Sequence, residues 1–321
     1  MFIKKAVDVS TAFFSSSVLE KLTILGCGSA LPASGRHPTG QILEHNGKFL
    51  LIDCGEGTQS RMRENKISFD KISHIFISHL HGDHYFGLPG LISTMNLLGR
   101  TRDLHLFGPA GLIRILELQF ELGKTFLSFS LKFTPVEKEE DILSLRGLKV
   151  QSIELNHRLK CFGFIFKEEK KTRRINGPVA KSVGVPHFFM DQLRLGEDYV
   201  DKDGNVIQNS VLTLEPKKSH TYAFCSDNRI QADFCNKVKG VSVLYHEATF
   251  LHQELKKAKK TFHSTAKEAA LLAQEIKPDL LILGHYSARY RSVLPLLEEA
   301  KGIYKQTSAA TYKDIYDFSK I

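Results

Sequence analysis

The chain has 321 residues and a mass of 36.2 kDa, with 42% hydrophobic and 25% charged residues. That balance excludes a disordered or fibrous protein, and no apolar run of about 18 residues offers a membrane-spanning helix. Lys and Arg number 44 against 35 Asp and Glu, a net charge of +9. Such a charge is the footprint of a polyanion binder, although solubility alone would account for it equally well.

In chain order, KLTILGCG (21–28), QILEHNG (41–47), KFLLIDCG (48–55) and ISHIFISH (72–79) read as strands, the later ones apolar enough to be buried on both faces. GLPGLISTMNLLGR (87–100) and PAGLIRILELQFELG (109–123) carry apolar residues at helical spacing. GLKVQSIELNH (147–157), FGFIFKE (162–168), TYAFCSD (221–227), SVLYHEA (242–248) and DLLILGH (279–285) read as further strands. TAKEAALLAQEIK (265–277) and, despite its proline, RSVLPLLEEAKGIY (291–304) read as helices. Strands with interleaved helices and no Pro/Ser-rich linker predict one layered α/β domain over residues 1–321. Residues 168–209 differ. Their charges, glycines and prolines predict a long irregular arm, with a hairpin turn at DKDGN between Val200 and Val206.

The chemistry concentrates in SHLHGDHYFG (78–87), which puts His79, His81, Asp83 and His84 within six residues of a strand end. Imidazole nitrogens and a carboxylate converging there suit Zn²⁺ or a similar divalent ion. His157, Asp227 and His285 stand where other predicted strands stop, and Asp227 is the natural bridge between two ions. A single His or Asp at a strand end is usually a turn or cap residue; three of them beside H-x-H-x-D-H favour ligands. GCGS at 26–29 lacks the third glycine of a dinucleotide loop, so a tight turn and no nucleotide cofactor are expected. Five cysteines without paired spacing predict a reducing, cytoplasmic setting. The N-terminal MFIKKAVDVSTAFFSSSVLEK has no sustained apolar core before a small-residue cleavage site, which agrees.

H-x-H-x-D-H after an apolar strand, with Asp53 in LLIDCGEG closing the strand before it, resembles the metallo-β-lactamase fold hydrolases. LGCGSALPASGRHPTG, LLIDCGEGTQSRMRE, ISHLHGDHYFGLPGLI, ELNHRLKCFGFIF, YAFCSDNR, LYHEATF, HSTAKEAA and LILGHYSARY together resemble the ribonuclease Z family, the tRNA 3′-processing endonucleases. The resemblance implies a four-layer αββα sandwich carrying a protruding, flexible arm, two Zn²⁺ per chain, precursor tRNA as substrate and a homodimer. It implies that His79, His81, His157 and Asp227 hold one zinc, and Asp83, His84, His285 and Asp227 the other. Asp83 would also accept the proton of the attacking water, while His263 in FHSTAKEAA and Glu247 in HEATF would relay a proton to the leaving group. The segment KSVGVPHFFMDQLRLGEDYVDKDGNVI matches the family's tRNA-gripping exosite in style, but PHFFMD stands where a glycine–proline pair usually follows GVP.

Charge counting agrees with that chemistry. Two Zn²⁺ with Asp83, Asp227 and a bridging hydroxide leave roughly +1, which suits one phosphodiester anion, and metal-bound water ionises near neutral pH. Attack by such a hydroxide needs no ribose 2′-OH, so the products carry 3′-OH and 5′-phosphate ends. Lys170, Lys171, Arg173, Arg174 and Lys181 supply the arm with candidate phosphate contacts; they and KKAKK (256–260) read equally well as solvated faces. Two rivals are a small-molecule ester or thioester hydrolase on the same fold and a catalytically silent RNA-binding module.

Overall fold

Apolar runs without alternation become strands buried on both faces, and this sets the layering. The computed structural model describes residues 19–321. The first part runs β1 (Leu19–Gly26), β2 (Gly40–His45), β3 (Lys48–Cys54), α1 (Thr58–Glu64), β4 (Ile72–Phe76), α2 (Gly82–Tyr85), α3 (Leu88–Leu97), β5 (Leu104–Gly108), α4 (Gly111–Leu122) and β6 (Leu131–Pro135). An antiparallel meander follows: β7 (Glu140–Leu145), β8 (Leu148–Leu155) and β9 (Cys161–Glu168). Then come β10 (Arg174–Ile175), α5 (Gly177–Val183), α6 (Met190–Leu195), β11 (Tyr199–Val200), β12 (Val206–Ile207), α7 (Asn209–Leu212) and β13 (Thr213–Leu214). The last part holds β14 (Thr221–Cys225), α8 (Phe234–Lys237), β15 (Val243–Glu247), α9 (Leu255–Thr261), α10 (Ala266–Ile276), β16 (Leu280–Gly284), α11 (Leu294–Lys301), β17 (Thr307–Ala309) and β18 (Ile315–Asp317).

Two seven-stranded sheets form, in the orders β18-β1-β2-β3-β4-β5-β6 and β17-β16-β15-β14-β9-β8-β7. Successive side chains of the central strands alternate between two cores. Leu50, Ile52, Phe76 and Phe107 join Phe164, Phe166 and Phe224 of the second sheet. Their neighbours Leu51, Ile75, Ile77 and Leu106 pack on Met62, Leu91, Ile92, Leu112 and Leu116 from α1, α3 and α4. Phe76 stacks on Phe107 at 4.9 Å and meets Phe166 edge-on at 5.3 Å, which ties the sheets together. On the far side, α10 buries Ala269, Ala270 and Ala273 and begins with a Thr265–Glu268 capping box. This is the four-layer αββα sandwich of the metallo-β-lactamase type.

In the first sheet β3 to β6 run parallel, and in the second β14 to β17 do. Strand β8 is two antiparallel steps from β14 and so shares its direction. Functional side chains belong at the carboxyl ends of such strands, where loops are free to vary.

Lys171–Lys217 form a compact unit of their own. Where the sequence suggested an irregular stretch, three short helices fold around buried Ala180, Val185, Leu193 and Leu212. The glycines that read as loop signals are helix stops: Gly184 and Gly196 cap α5 and α6 at φ +77° and +104°. The hairpin does form, with Asp201 Oδ1 accepting from the Asp203 and Asn205 N–H groups at 2.9 Å. Elsewhere Pro295 sits in the first turn of α11, so that helix starts at Leu294 rather than 291. Strands β6 and β7 gave no sequence signal because they lie at sheet edges and are half exposed.

Candidate metal centre

The loop after β4 delivers His79 and His81, and α2 delivers Asp83 and His84; the ends of β8, β14 and β16 deliver His157, Asp227 and His285. The backbone is bent sharply to do so. Asp53, Asp227 and His285 all adopt left-handed φ, at +55°, +58° and +54°. Non-glycine residues take that conformation at a cost, and it clusters at functional sites.

Three overlapping donor groups result among the described residues, one of them Asp227, His263 and His285. His79, His81, His157 and Asp227 place one ligand atom each within 4.8 Å of one another, and so do Asp83, His84 and His285. His79 Nε2 lies 2.8 Å and His157 Nε2 3.2 Å from His81 Nδ1. Asp227 joins the groups, since its Oδ2 is 3.7 Å from both His79 Nε2 and His157 Nε2 while its Oδ1 is 3.1 Å from His84 Nε2 and His285 Nε2. Asp83 Oδ2 stands 3.5 Å from the latter two nitrogens and accepts the Ala30 N–H at 2.8 Å.

Behind four of the five imidazoles the other ring nitrogen is occupied, which fixes which nitrogen faces inward. His79 Nδ1 lies 3.1 Å from Ser78 Oγ, His84 Nδ1 2.6 Å from Asp53 Oδ2, His157 Nδ1 3.3 Å from the Phe262 carbonyl and His285 Nδ1 3.0 Å from Thr249 Oγ1. Asp53 also accepts from Ser78 N at 2.8 Å and Ser78 Oγ at 3.0 Å. Gly55 keeps the next loop against the ligands, for a Cβ there would sit 2.3 Å from the Asp83 carbonyl.

The electrostatics call for a cation. Burial would depress His84, but Asp227, Asp83 and Asp53 around it raise its pKa well above the ordinary imidazole range. Burial opposes ionisation of Asp83 and Asp227, yet neighbouring imidazoles hold both carboxyls well below the usual carboxylate range. His84 Nε2 and His285 Nε2 are buried and face the carboxylates of Asp227 at 3.1 Å and Asp83 at 3.5 Å, so nitrogen and oxygen donors converge there as a ligated cation requires. All-N/O donor sets of this kind suit zinc.

A second pair stands beside the donors. His263 Nδ1 is 3.1 Å from both carboxylate oxygens of Glu247. Burial works against a charged His263, but Glu247 raises its pKa to about 9. Glu247 is itself held by Asn228 N–H and the Thr249 hydroxyl, each at 2.5 Å. His246, next to it, turns away and bonds the Glu247 carbonyl at 2.8 Å.

Relatives then decide the family. Residues 289 long in alignment, covering 89% of this chain and 95% of the other, are 43% identical to the ribonuclease Z of Porphyromonas gingivalis. The chain belongs to the ribonuclease Z family. The ribonuclease Z of Bacteroides fragilis is 40% identical over 90% of this chain and 96% of its own. The family profile described as anti-Pycsar protein Apyc1 matches residues 20–173. The crystal structure of the short form of human tRNase Z shares the fold, with TM-score 0.66, 24% identity and coverage of 92% of this chain and 98% of that one.

The basic residues divide. Arg173 bonds Glu215 Oε1 at 2.6 Å and Thr213 Oγ1 at 2.7 Å, and Arg174 bonds the Glu215 carbonyl at 3.0 Å, so both brace β10 against β13. Lys170 and Lys181 are exposed and Lys171 is half-buried. The lysines of KKAKK line α9, which ends directly before His263. Sequence reasoning passed over three contributors: Ser78, Thr249 and Arg158, the last lining the cleft beside His81. Each lies within two residues of a ligand or of Glu247, which was the available signal.

Proposed function

We propose that this chain is a two-zinc endoribonuclease that removes 3′ trailers from precursor tRNA, leaving a 3′-OH on the tRNA and a 5′-phosphate on the trailer. The observation that carries the reading is Asp227, whose two oxygens face two separate donor groups, in a chain of this family. His79, His81, His157 and Asp227 would hold one zinc; Asp83, His84, His285 and Asp227 the other. Bound zinc supplies Lewis acidity and a water acidic enough to attack near neutral pH. Asp83, anchored through Oδ2 by the Ala30 N–H, would orient the attacking water and accept its proton. His263, kept protonated by Glu247, donates to the departing ribose 3′-oxygen. Water as nucleophile leaves the ribose 2′-OH idle, which gives the stated ends.

The unit from Lys171 to Lys217 would grip the tRNA body, with Lys170, Lys171 and Lys181 on phosphates and Arg173 and Arg174 shaping the surface that presents them. The exposed lysines of α9 add phosphate contacts next to His263. A homodimer would draw on the exposed Leu97 and Phe126, at 84% and 87%, which are brought near each other as Asn96 Nδ2 donates to the Phe126 carbonyl at 3.0 Å. No described helix is long and apolar enough to cross a membrane, and a cytoplasmic site of action follows from the substrate. The test is to incubate zinc-loaded protein with a 3′-extended tRNA precursor and map both ends. A 2′,3′-cyclic phosphate would overturn the mechanism. Inert precursor alongside efficient ester or thioester hydrolysis would favour the small-molecule rival.

A further inference from the structure

The cleft over the donor atoms, of about 400 Å³, has an unequal lining. Besides His81, Asp83, Asp227, His263 and His285 it carries the charged Arg158 and Glu56 and the apolar Leu31, Pro32 and Phe86. Phe86 is anomalous. It follows Asp83 by three residues, lies in the cleft wall, and is 64% exposed where Phe76 and Phe107 are buried. Leaving a large aromatic ring in water forgoes most of its burial energy, so packing does not explain it.

The ring is nevertheless held. Its backbone N–H closes the α2 turn onto the Gly82 carbonyl at 2.9 Å. Tyr85 meets it edge-on at 5.1 Å and 71°. On the Gly82 side it lies so close that a Cβ there would come within 2.2–2.7 Å of three ring carbons. Gly82 thus makes room for the ring to rest on backbone, and a braced aromatic loses little freedom when something stacks on it.

We propose that Phe86 is a stacking platform for the nucleobase adjoining the scissile phosphate, so that the cleft selects a nucleotide phosphodiester over a bare one. The inference rests on the functional reading above. The occupant follows from continuity: Phe86 shares one cleft with Asp83 and His285, and the π-faces nearest a phosphate bound there belong to the bases of the two nucleotides it joins. Every base offers a π-face, so the contact tolerates sequence, as a processing enzyme with many precursors requires.

The experiment uses zinc-loaded wild type, Phe86→Ala and Phe86→Tyr. Each is given a 3′-extended tRNA precursor and two matched substrates, one abasic immediately 5′ and one immediately 3′ of the cleavage site. The expected result is a drop on the order of tenfold in kcat/KM for wild type on one abasic substrate. Phe86→Ala should show a similar drop on the parent, with no further loss on that abasic substrate, and Phe86→Tyr should restore the parent rate. Zinc content should be equal in all three proteins. Losses that multiply in Phe86→Ala on both abasic substrates, or a Phe86→Ala protein as fast as wild type, would overturn the inference alone. A changed oligomeric state in Phe86→Ala with base dependence intact would also overturn it and assign the ring to a subunit contact. Wild type inert on every precursor would instead overturn the functional reading, and this inference with it.

Discussion

Asp53→Asn probes the support behind the metal donors without disturbing the backbone, because Asn tolerates the left-handed φ of +55° that Asp53 adopts. The carboxylate accepts Ser78 N–H at 2.8 Å, Ser78 O–H at 3.0 Å and His84 Nδ1–H at 2.6 Å. An amide oxygen can keep the first, and an amide N–H can turn the second around by donating to Ser78 Oγ. The third fails, since two donors then face each other. If His84 keeps its tautomer, one charge-assisted bond is lost, worth about 1.5–3 kcal/mol of stability. If the proton moves to Nε2, that bond is rescued but the lone pair facing Asp227 and Asp83 disappears. Either route should weaken zinc binding by about 10–100-fold, the usual effect of removing a partner behind a ligating imidazole. Chelator competition measures the affinity. Unchanged affinity with both ions retained would refute the role given to Asp53.

His81→Ala or His285→Ala should lose metal and activity together, as read by elemental analysis; full loading with normal turnover would remove them from the centre. Asp83→Ala should slow cleavage by several orders of magnitude while precursor binding stays near wild type, since a ligand and proton acceptor acts on the chemical step. Glu247→Gln should return His263 toward its ordinary pKa of 6.5 from about 9. The stability that the pair lends zinc-free protein is complete below about pH 6.5 and lost as pH rises through about 9, so the variant's deficit should shrink over that window. Replacing residues 171–217 by a short linker should leave the centre assembled, because Glu168 and Glu169 already bond His220 and Ser219 across the base of the segment at 3.0 Å. Precursor binding should weaken and its log–log salt slope become shallower by about one unit per lost phosphate contact; an unchanged slope would free the segment from RNA binding.

Legibility in the sequence followed the strength of local patterning. Both-face-buried strands such as Lys48–Cys54 and Cys161–Glu168 announce themselves by unbroken apolar runs, and strand ends then point to His157, Asp227 and His285. The edge strands β6 and β7 carry no such run, because half their residues face water. In the segment after Lys170, glycine and proline carry the pattern of loop chemistry but start and stop helices too short to show a period. Side-chain support is legible only in three dimensions: nothing in HEATF says that Thr249 would bridge Glu247 and His285, or in DHYFG that Phe86 would stay exposed.

Each donor group proposed for a zinc draws on both sheets. His79, His81, Asp83 and His84 hang from the first, and His157, Asp227 and His285 from the second. An ion held there is a cross-link between halves of the chain that are far apart in sequence, analogous to a disulfide but set by supply rather than by redox state. At a free concentration a hundredfold above its Kd, each ion would add about 2.7 kcal/mol to folding stability. Zinc starvation would then act on the amount of enzyme as well as on its turnover, because the stripped protein is the form that unfolds and is degraded first.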